Sequence, residues 1–422
     1  MSAGFSNLAV PKSLLDTDLY KLTMQQAVLH HFPTVQATYR FTNRDKNTLF
    51  SRQCIERFRT AVSQFTDLRL TPEEKQWLQK TCPYLTPNYL SYLSEYRFKP
   101  EQIHVIYHPI TEDSMFGSVE IMASGPWVET IMWEVPLMAC LSESYFQSVI
   151  TDWSYDGQEA SAYNKGCALL EAGCVFSDFG TRRRRSFHAQ DIVLKALIQA
   201  SKDIPSSGSL SGTSNVHLAH KYGLTPIGTI AHEWFMGVAA LRGYENANSV
   251  SLALWEEVYT EKSCLIALTD TFSTHAFFKD FVTDTERVRH WSGLRQDSGD
   301  PFAFAPRVVE VYKSLGIDPR DKRLIYSDSL GVDKALQLQK QATELGLNNV
   351  SFGIGTFFTN DFKTSSSGGT EKSKALNMVI KLASVDSHPC IKISDDLTKN
   401  TGDKATVDHV KALYNLLSPT NS

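Results

Sequence analysis

The sequence predicts an α/β protein in two parts: an irregular α/β barrel, and an α+β domain that the barrel interrupts. Three observations carry this. From Gly173 onward, short apolar runs alternate with helical segments, the βαβα rhythm of a parallel sheet or barrel. The turns after these runs are rich in polar residues able to do chemistry, so one end of the repeating unit differs from the other. Before Gly173 strands and amphipathic helices succeed one another without that alternation, and strand-like runs return after residue 374.

Composition sets the frame. With 422 residues, 42% hydrophobic and 21% charged, the chain can bury a large core and divide into two or three domains. A net charge of -4 speaks against a general nucleic-acid or membrane-surface binder. The seven cysteines (Cys54, Cys82, Cys140, Cys167, Cys174, Cys264, Cys390) are scattered and form no C-x-x-C pair, which points to a reducing compartment rather than to zinc or a redox dithiol. The stretch MSAGFSNLAVPKSLLDTD has no basic region leading into an apolar core, and no segment approaches the roughly 18 apolar residues of a membrane span. The expectation is a cytoplasmic protein, with nuclear access left open.

Along the chain, Asp16-Thr17-Asp18 can cap a helix through Leu19 to Met24, with Leu15, Leu19, Leu22 and Met24 on one buried face and Tyr20 and Lys21 near its start. Val35 to Thr42 alternates like a half-buried strand. Amphipathic helices come next at Ile55 to Phe65, Pro72 to Gln79 and Pro87 to Tyr96, then strands at Ile103 to Tyr107 and Val119 to Met122. A long apolar helix from Val128, bent at Pro136, leads into the repeating region. Its strands are expected at Cys174 to Phe176, Ile227 to Ile230, Leu265 to Leu268, Trp291 to Leu294, Arg323 to Tyr326 and Val350 to Phe352. About 190 residues are available, fewer than the roughly 250 of a regular eight-fold barrel. Asp361 to Lys374 is Ser/Gly/Lys-rich and reads as a mobile connection. Ala375 to Ser384 and Cys390 to Ile393 read as strands able to rejoin the first sheet. The domain assignment is therefore 1–150, completed by 375–422, and 151–374 for the barrel.

The turn after each run is the informative part. These ends carry Ser177 to Arg183, Ser211 to Asn215, Thr229 to His232, Thr269 to Thr271, Arg295 to Asp300, Ser327 to Ser329 and Gly353 to Thr356. A barrel gathers such ends on one face, where active sites of this architecture lie. His232, at a strand-to-helix junction, would be a buried structural histidine if taken alone; among six other polar ends it becomes the catalytic candidate.

Arg182 to Arg185 in isolation is a solvated face or a nuclear-type signal. Directly after Phe179-Gly180 at a strand end, at least one arginine can fork onto a carboxylate or phosphate, and Phe179 offers a flat face to an aromatic ring. Thr213 and Ser214 before a helix form a generic anion site, and Gly355-Thr356 comes after the last clear strand, where barrels often hold phosphate. Asp300-Pro301 is a helix start. Asp297 and Arg295 are left to face a sugar diphosphate with its magnesium, with Asp328 as a further donor. His232-Glu233 lacks the second histidine of a zinc-peptidase motif, because position 236 is Met. Asp395-Asp396 before Thr401-Gly402 is spaced one residue too long for the acidic ribose-phosphate loop of one phosphoribosyltransferase class, and Lys392 and Ser394 interrupt the strand that should precede it.

Taken together, DTDLYKLTM (Asp16 to Met24), FGTRRRRS (Phe179 to Ser186), GTSN (Gly212 to Asn215), TIAHE (Thr229 to Glu233), RQDSGDP (Arg295 to Pro301) and FGIGT (Phe352 to Thr356) resemble the nicotinate phosphoribosyltransferase family over nearly the whole chain. The resemblance implies the type II phosphoribosyltransferase fold and a homodimer with shared active sites. The implied reaction is nicotinate plus phosphoribosyl pyrophosphate giving nicotinate mononucleotide and pyrophosphate, coupled to ATP hydrolysis, with Mg2+, in NAD salvage. On this sequence His232 would be the transiently phosphorylated residue. Tyr20 from the other subunit and Phe179 would sandwich the pyridine ring, Thr229, Arg295 and Arg182 would contact nicotinate, and Thr356 would hold the ribose phosphate. The metal ligands are left unassigned. Two other readings stand beside this one: the same transfer to nicotinamide, and a non-catalytic metabolite-binding dimer.

Overall fold

The computed structural model of the chain describes residues 5–396 and 400–416; residues 1–4 and 417–422 of the expected first and last segments lie outside them. Two six-stranded sheets organise the molecule. The first is antiparallel and runs, edge to edge, His388–Pro389, Met378–Val385, Gln36–Asn43, Phe116–Pro126 and Phe50–Ser51, with Ile103–Pro109 also paired to Phe116–Pro126. Met378–Val385 places Met378, Ile380, Leu382 and Val385 against the core and pairs along Gln36–Asn43, Asn43 opposite Met378. A segment more than 330 positions later in the chain thus completes the early sheet. Cys390 to Ile393 is not a regular strand. Lys392 bridges Thr401 alone, and the N–H groups of Ile393 and Ser394 turn toward the Thr271 carbonyl, tying this segment to a loop of the second sheet.

The helices of the first part start at their capping residues. Arg52–Ser63, Pro72–Thr81 and Pro87–Glu95 begin after Ser51, Thr71 and Thr86, whose hydroxyls accept N–H bonds from the first turn, Thr71 within a reciprocal capping box with Glu74. Leu19–His31 differs from expectation. It is buried on almost every side, and Asp18, its N-cap residue, makes no side-chain cap because its carboxylate accepts the Ser214 hydroxyl instead. The long apolar helix breaks before Pro136, into Trp127–Thr130 and Glu134–Ser148; Pro136 falls in a first turn, where its missing N–H has no intrahelical partner to lose.

The second sheet is wholly parallel, in the order Ser209–Thr213, Val175–Asp178, Val350–Ile354, Arg323–Tyr326, Gly293–Gln296, Ile266–Leu268. Its carboxyl ends lie along one edge. The ladder does not close on itself, and the strand expected over Ile227 to Ile230 is corrected to an extended segment that joins the sheet through Pro226 and Thr213. The physical reason is local. Gly228 has φ of +98°, the Thr229 carbonyl accepts the Thr23 hydroxyl, and the Ile230 carbonyl accepts Arg295, so the segment's acceptors serve side chains rather than a neighbouring strand.

Asp361 to Lys374 is likewise not a loose connection. Phe362–Lys363 pairs with Lys372–Ser373 in a short hairpin. Arg185 clamps it, donating to the Ser373 carbonyl and hydroxyl while its guanidinium lies 3.6 Å from the Phe146 ring centroid and 4.5 Å from that of Phe362.

An aromatic core joins the two sheets. Trp127, Trp234, Trp255 and Tyr259 are fully buried and contact one another in series, with ring centroids 6.5, 5.5 and 4.6 Å apart. Gly237, in the helix His232–Arg242, permits the approach: a Cβ there would meet Trp127 at 2.3 Å.

Candidate active site

The site is built where the helix His232–Arg242 begins, above the carboxyl edge of the parallel sheet. The residue after His232 anchors it. Glu233 accepts from the Lys21 ammonium, the Tyr39 hydroxyl and the Trp127 indole N–H, and Lys21, which has no exposed surface, bridges Glu233 to Glu134. A buried carboxylate so satisfied fixes the helix start rigidly. Glu233 is therefore a positioning residue, in keeping with the absence of a second motif histidine.

The His232 ring meets four side chains. Its Nδ1 lies 3.0 Å from Thr271 Oγ1, and its Nε2 lies 3.0 Å from Asp297 Oδ2, 2.8 Å from Lys392 Nζ and 3.8 Å from Asp270 Oδ1. At Nε2 two neighbours make opposite demands, the Lys392 ammonium for a lone pair and the Asp297 carboxylate for a proton, while the Thr271 hydroxyl at Nδ1 can serve either tautomer; the form with its lone pair on Nε2 is the nucleophilic one. Burial, and then the Lys392 charge, make the imidazole harder to protonate than a free histidine, while Asp270 and Asp297 act the other way. Burial would raise the Asp297 carboxyl, but Arg295 and then His232 bring it well below the usual carboxylate range. The Asp297 Oδ1 accepts the Ser327 hydroxyl at 2.6 Å. The centre thus pairs a neutral nucleophilic nitrogen with an ionised carboxylate and a cation.

Arg295 is held by Ser327, by the Ile230 carbonyl at 2.9 Å and by Asp297 at 3.6 Å. Thr229 is half-buried, on the segment that Thr23 holds through its carbonyl. The Phe179 ring packs close to both Gly228 and Gly353: a Cβ on either would lie 3.0 or 3.2 Å from it. Gly355 turns the chain into the short helix Thr356–Thr359, against the Phe179 carbonyl. Of the sequence candidates, then, His232, Asp297, Arg295, Thr229, Phe179, Gly355 and Thr356 share this edge of the sheet. Arg182 is 44% exposed, with Nη1 3.2 Å from Glu134. Tyr20 is 6% exposed, with Asp18, Glu134 and Arg182 as its charged neighbours.

Thr213 and Ser214 are corrected. Both are fully buried, and their hydroxyls donate to Asp178 and Asp18 at 2.7 Å. The N–H groups at the start of the next helix donate to the Leu15 and Thr17 carbonyls. The expected anion site is filled by the protein's own segment 15–18. The arginine run also divides. Arg184 makes a two-pronged bond to Asp16 at 2.8 and 2.9 Å, and Arg185 clamps the hairpin, so neither is free for substrate. Asp300 caps its helix, as expected, and Asp395 caps another by accepting from the Thr274 N–H and hydroxyl.

Sequence reasoning missed much of the cationic wall. Arg44, Arg183, Lys381 and Lys392 surround the site with Arg182. Burial, then Arg182 and Arg44, push Arg183 down to about 10; burial, then Lys392 and Arg44, push Lys381 down to about 7. Cations that depress one another in this way mark an excess of positive charge, the field a polyphosphate requires. The signal in the sequence is a lysine inside each of two apolar runs, Ala375 to Ser384 and Cys390 to Ile393. Asp270 stands among the strand ends, with nothing local to assign it a role. Its Oδ1 is buried and accepts no hydrogen bond, and with Asp297 and Asp328 it offers the hard oxygen donors that suit Mg2+.

Comparison with known proteins agrees with this arrangement. Residues 174–417 match the sequence model described as the nicotinate phosphoribosyltransferase (NAPRTase) family, and residues 15–142 match that of its N-terminal domain. A Schizosaccharomyces pombe protein named "Probable nicotinate phosphoribosyltransferase" is 44% identical over 411 residues, covering 96% of this chain and 98% of its own. The nicotinate phosphoribosyltransferase of Methanosarcina acetivorans is 44% identical over 409 residues, covering 93% and 95%. A solved structure from Saccharomyces cerevisiae superposes with a TM-score of 0.92 at 40% identity, covering 98% of this chain and 100% of that one.

Proposed function

Because the chain belongs to the nicotinate phosphoribosyltransferase family, we propose that it transfers the phosphoribosyl group of phosphoribosyl pyrophosphate to nicotinate, forming nicotinate mononucleotide and pyrophosphate in NAD salvage, and that ATP drives the transfer through His232. The observation that carries the reading is the single cluster of His232, Asp297, Asp270 and Lys392 at the carboxyl edge of the parallel sheet.

In the ATP step the His232 Nε2 lone pair attacks the γ-phosphorus and ADP leaves with the bridging oxygen. Lys392, 2.8 Å from Nε2, meets the incoming phosphoryl oxygens and neutralises charge on them. Phosphorylation turns a neutral ring among cations into an anion, which changes the field at Arg295 and Lys392 and biases the site toward holding the second substrate. Water then cleaves the phosphohistidine. In the transfer step the pyridine nitrogen attacks the anomeric carbon and pyrophosphate departs; the carbon gains cationic character, which the ionised Asp297 stabilises, and the leaving group gains negative charge, which Lys381, Lys392, Arg44 and Arg183 receive. Bound Mg2+ would supply charge neutralisation on the pyrophosphate, with Asp270, Asp297 and Asp328 as its holding residues. Phe179 supports the pyridine ring, with Tyr20 and Thr229 assigned to the same subsite, and Gly355 and Thr356 receive the ribose phosphate.

The cationic surroundings of Arg182 and Arg295 favour a carboxylate substrate over a neutral amide. Turnover of nicotinate and nicotinamide, measured as pyrophosphate release with ATP and Mg2+ present, tests the proposal. Nicotinate should be preferred by about a hundredfold or more, the scale of a lost charge-assisted contact in a closed site. Equal turnover would overturn the carboxylate preference, and release with nicotinamide alone would assign the amide. No release with either would leave a non-catalytic dimer.

A further inference from the structure

Outside the catalytic cluster, His30 and His31 at the end of the helix Leu19–His31 meet Glu257, the residue that ends Ala247–Glu256. We propose that His30, His31 and Glu257 bind a divalent transition-metal ion of the zinc class, joining these two helices.

The donor atoms come first. One ligand atom from each residue lies within 4.8 Å of the other two, and His31 Nδ1 is 3.9 Å from Glu257 Oε2. A tetrahedral ion with bonds of about 2.0–2.1 Å needs donors on the order of 3.4 Å apart. His30 and Glu257 are exposed and free to close that difference by small rotamer changes. Two imidazoles and a carboxylate are a donor set that zinc accepts while keeping a fourth position for water.

The second observation lies behind the donors. His31 Nε2 is 2.7 Å from the Leu254 carbonyl, a last-turn acceptor that the helix Ala247–Glu256 cannot itself satisfy. A carbonyl accepts, so Nε2 carries the proton and Nδ1 presents its lone pair toward Glu257. Orientation of a ligating histidine by a carbonyl on its far nitrogen is the usual support of a metal site.

The backbone field agrees. Two helices end at this point, and their carbonyl ends favour a cation. Arg242, which ends the helix His232–Arg242 and lies over Phe32 at 5.7 Å, is the charge that opposes an ion here. The ion would fasten Leu19–His31, whose Lys21 and Thr23 support the His232 segment, to Ala247–Glu256.

Titration calorimetry of Zn2+ into the full chain, with Mg2+ in excess, tests the site. The expected result is one zinc-selective site, weakened about tenfold or more in His30→Ala and again in Glu257→Gln, and retained in His232→Ala. The melting temperature should rise with Zn2+ in the parent chain and not in the two variants. Absence of zinc binding, or an affinity unchanged in both His30→Ala and Glu257→Gln, overturns the proposal. Loss of the site in His232→Ala alone would move the ion to the catalytic cluster and overturn it equally.

Discussion

Lys392 decides the protonation of His232 more directly than any other neighbour, because it is the cation in contact with Nε2 and opposes a proton there. Removing it has a definite sign. In Lys392→Met the imidazole becomes easier to protonate, so the acid limb of the pH–rate profile, expected in the parent chain below the ordinary histidine pKa of about 6.5, should move up. The rate itself should fall about a hundredfold, the usual consequence of deleting a donor to developing phosphoryl or oxyanion charge. A limb that stays put or moves down would show that Lys392 does not govern His232. His232, Asp297, Arg295 and Phe179 are legible in the sequence because each sits next to a strand end, a local signal. Lys392 is not, since it stands 160 residues from His232 and reaches it only through the return of the late chain to the first sheet.

Elements explain the arginine run and the segment before His232. Arg184 and Asp16 are both buried, and their paired bonds pin the approach to the helix Leu19–His31 against the loop after Val175–Asp178. Burial would raise the Asp16 carboxyl, but Arg184 and then Asn215 bring it down to about 2. A depressed carboxylate fixes the sign: the pair contributes stability above the unfolded carboxylate pKa of about 3.9, and loses it as pH falls toward about 2. Arg184→Met leaves the carboxylate buried without its cation and should cost roughly 3–5 kcal/mol at neutral pH, read by urea denaturation. A cost under about 1 kcal/mol would mean the pair is not a support. Four consecutive arginines carry no periodicity that could separate these roles; the 3-10 turn Thr181–Arg183 holds only Arg182 and Arg183, and the backbone leaves it at Arg184, which sends Arg184 and Arg185 to other layers. The extended segment before His232 looks like a strand in sequence for a similar reason. Its residues are apolar enough for one, but its carbonyls are taken by Thr23 and Arg295 from other elements, which no local pattern reveals.

At the scale of the whole molecule, the candidate site is assembled from distant stretches: Lys21 and Thr23 beneath it, Phe179, His232 to Asp297 and Gly355 along the sheet edge, and, closing it, Lys381 on the strand Met378–Val385 with Lys392 in the segment after it. The alternation of runs and polar turns is enough to foresee a parallel sheet with its chemistry on one edge. The open ladder and the clamped hairpin at Phe362–Ser373 depend on contacts such as Arg185 to Ser373, which appear only once the chain has folded. The central claim, that this assembly exists to let His232 accept a phosphoryl group from ATP, is tested most directly by incubating the full chain with γ-labelled ATP and Mg2+ and measuring acid-labile, base-stable label on the protein. Near-stoichiometric labelling that disappears in His232→Ala, while the variant keeps its fold by circular dichroism, is the predicted result; undiminished labelling in His232→Ala, or none in the parent chain, would contradict it.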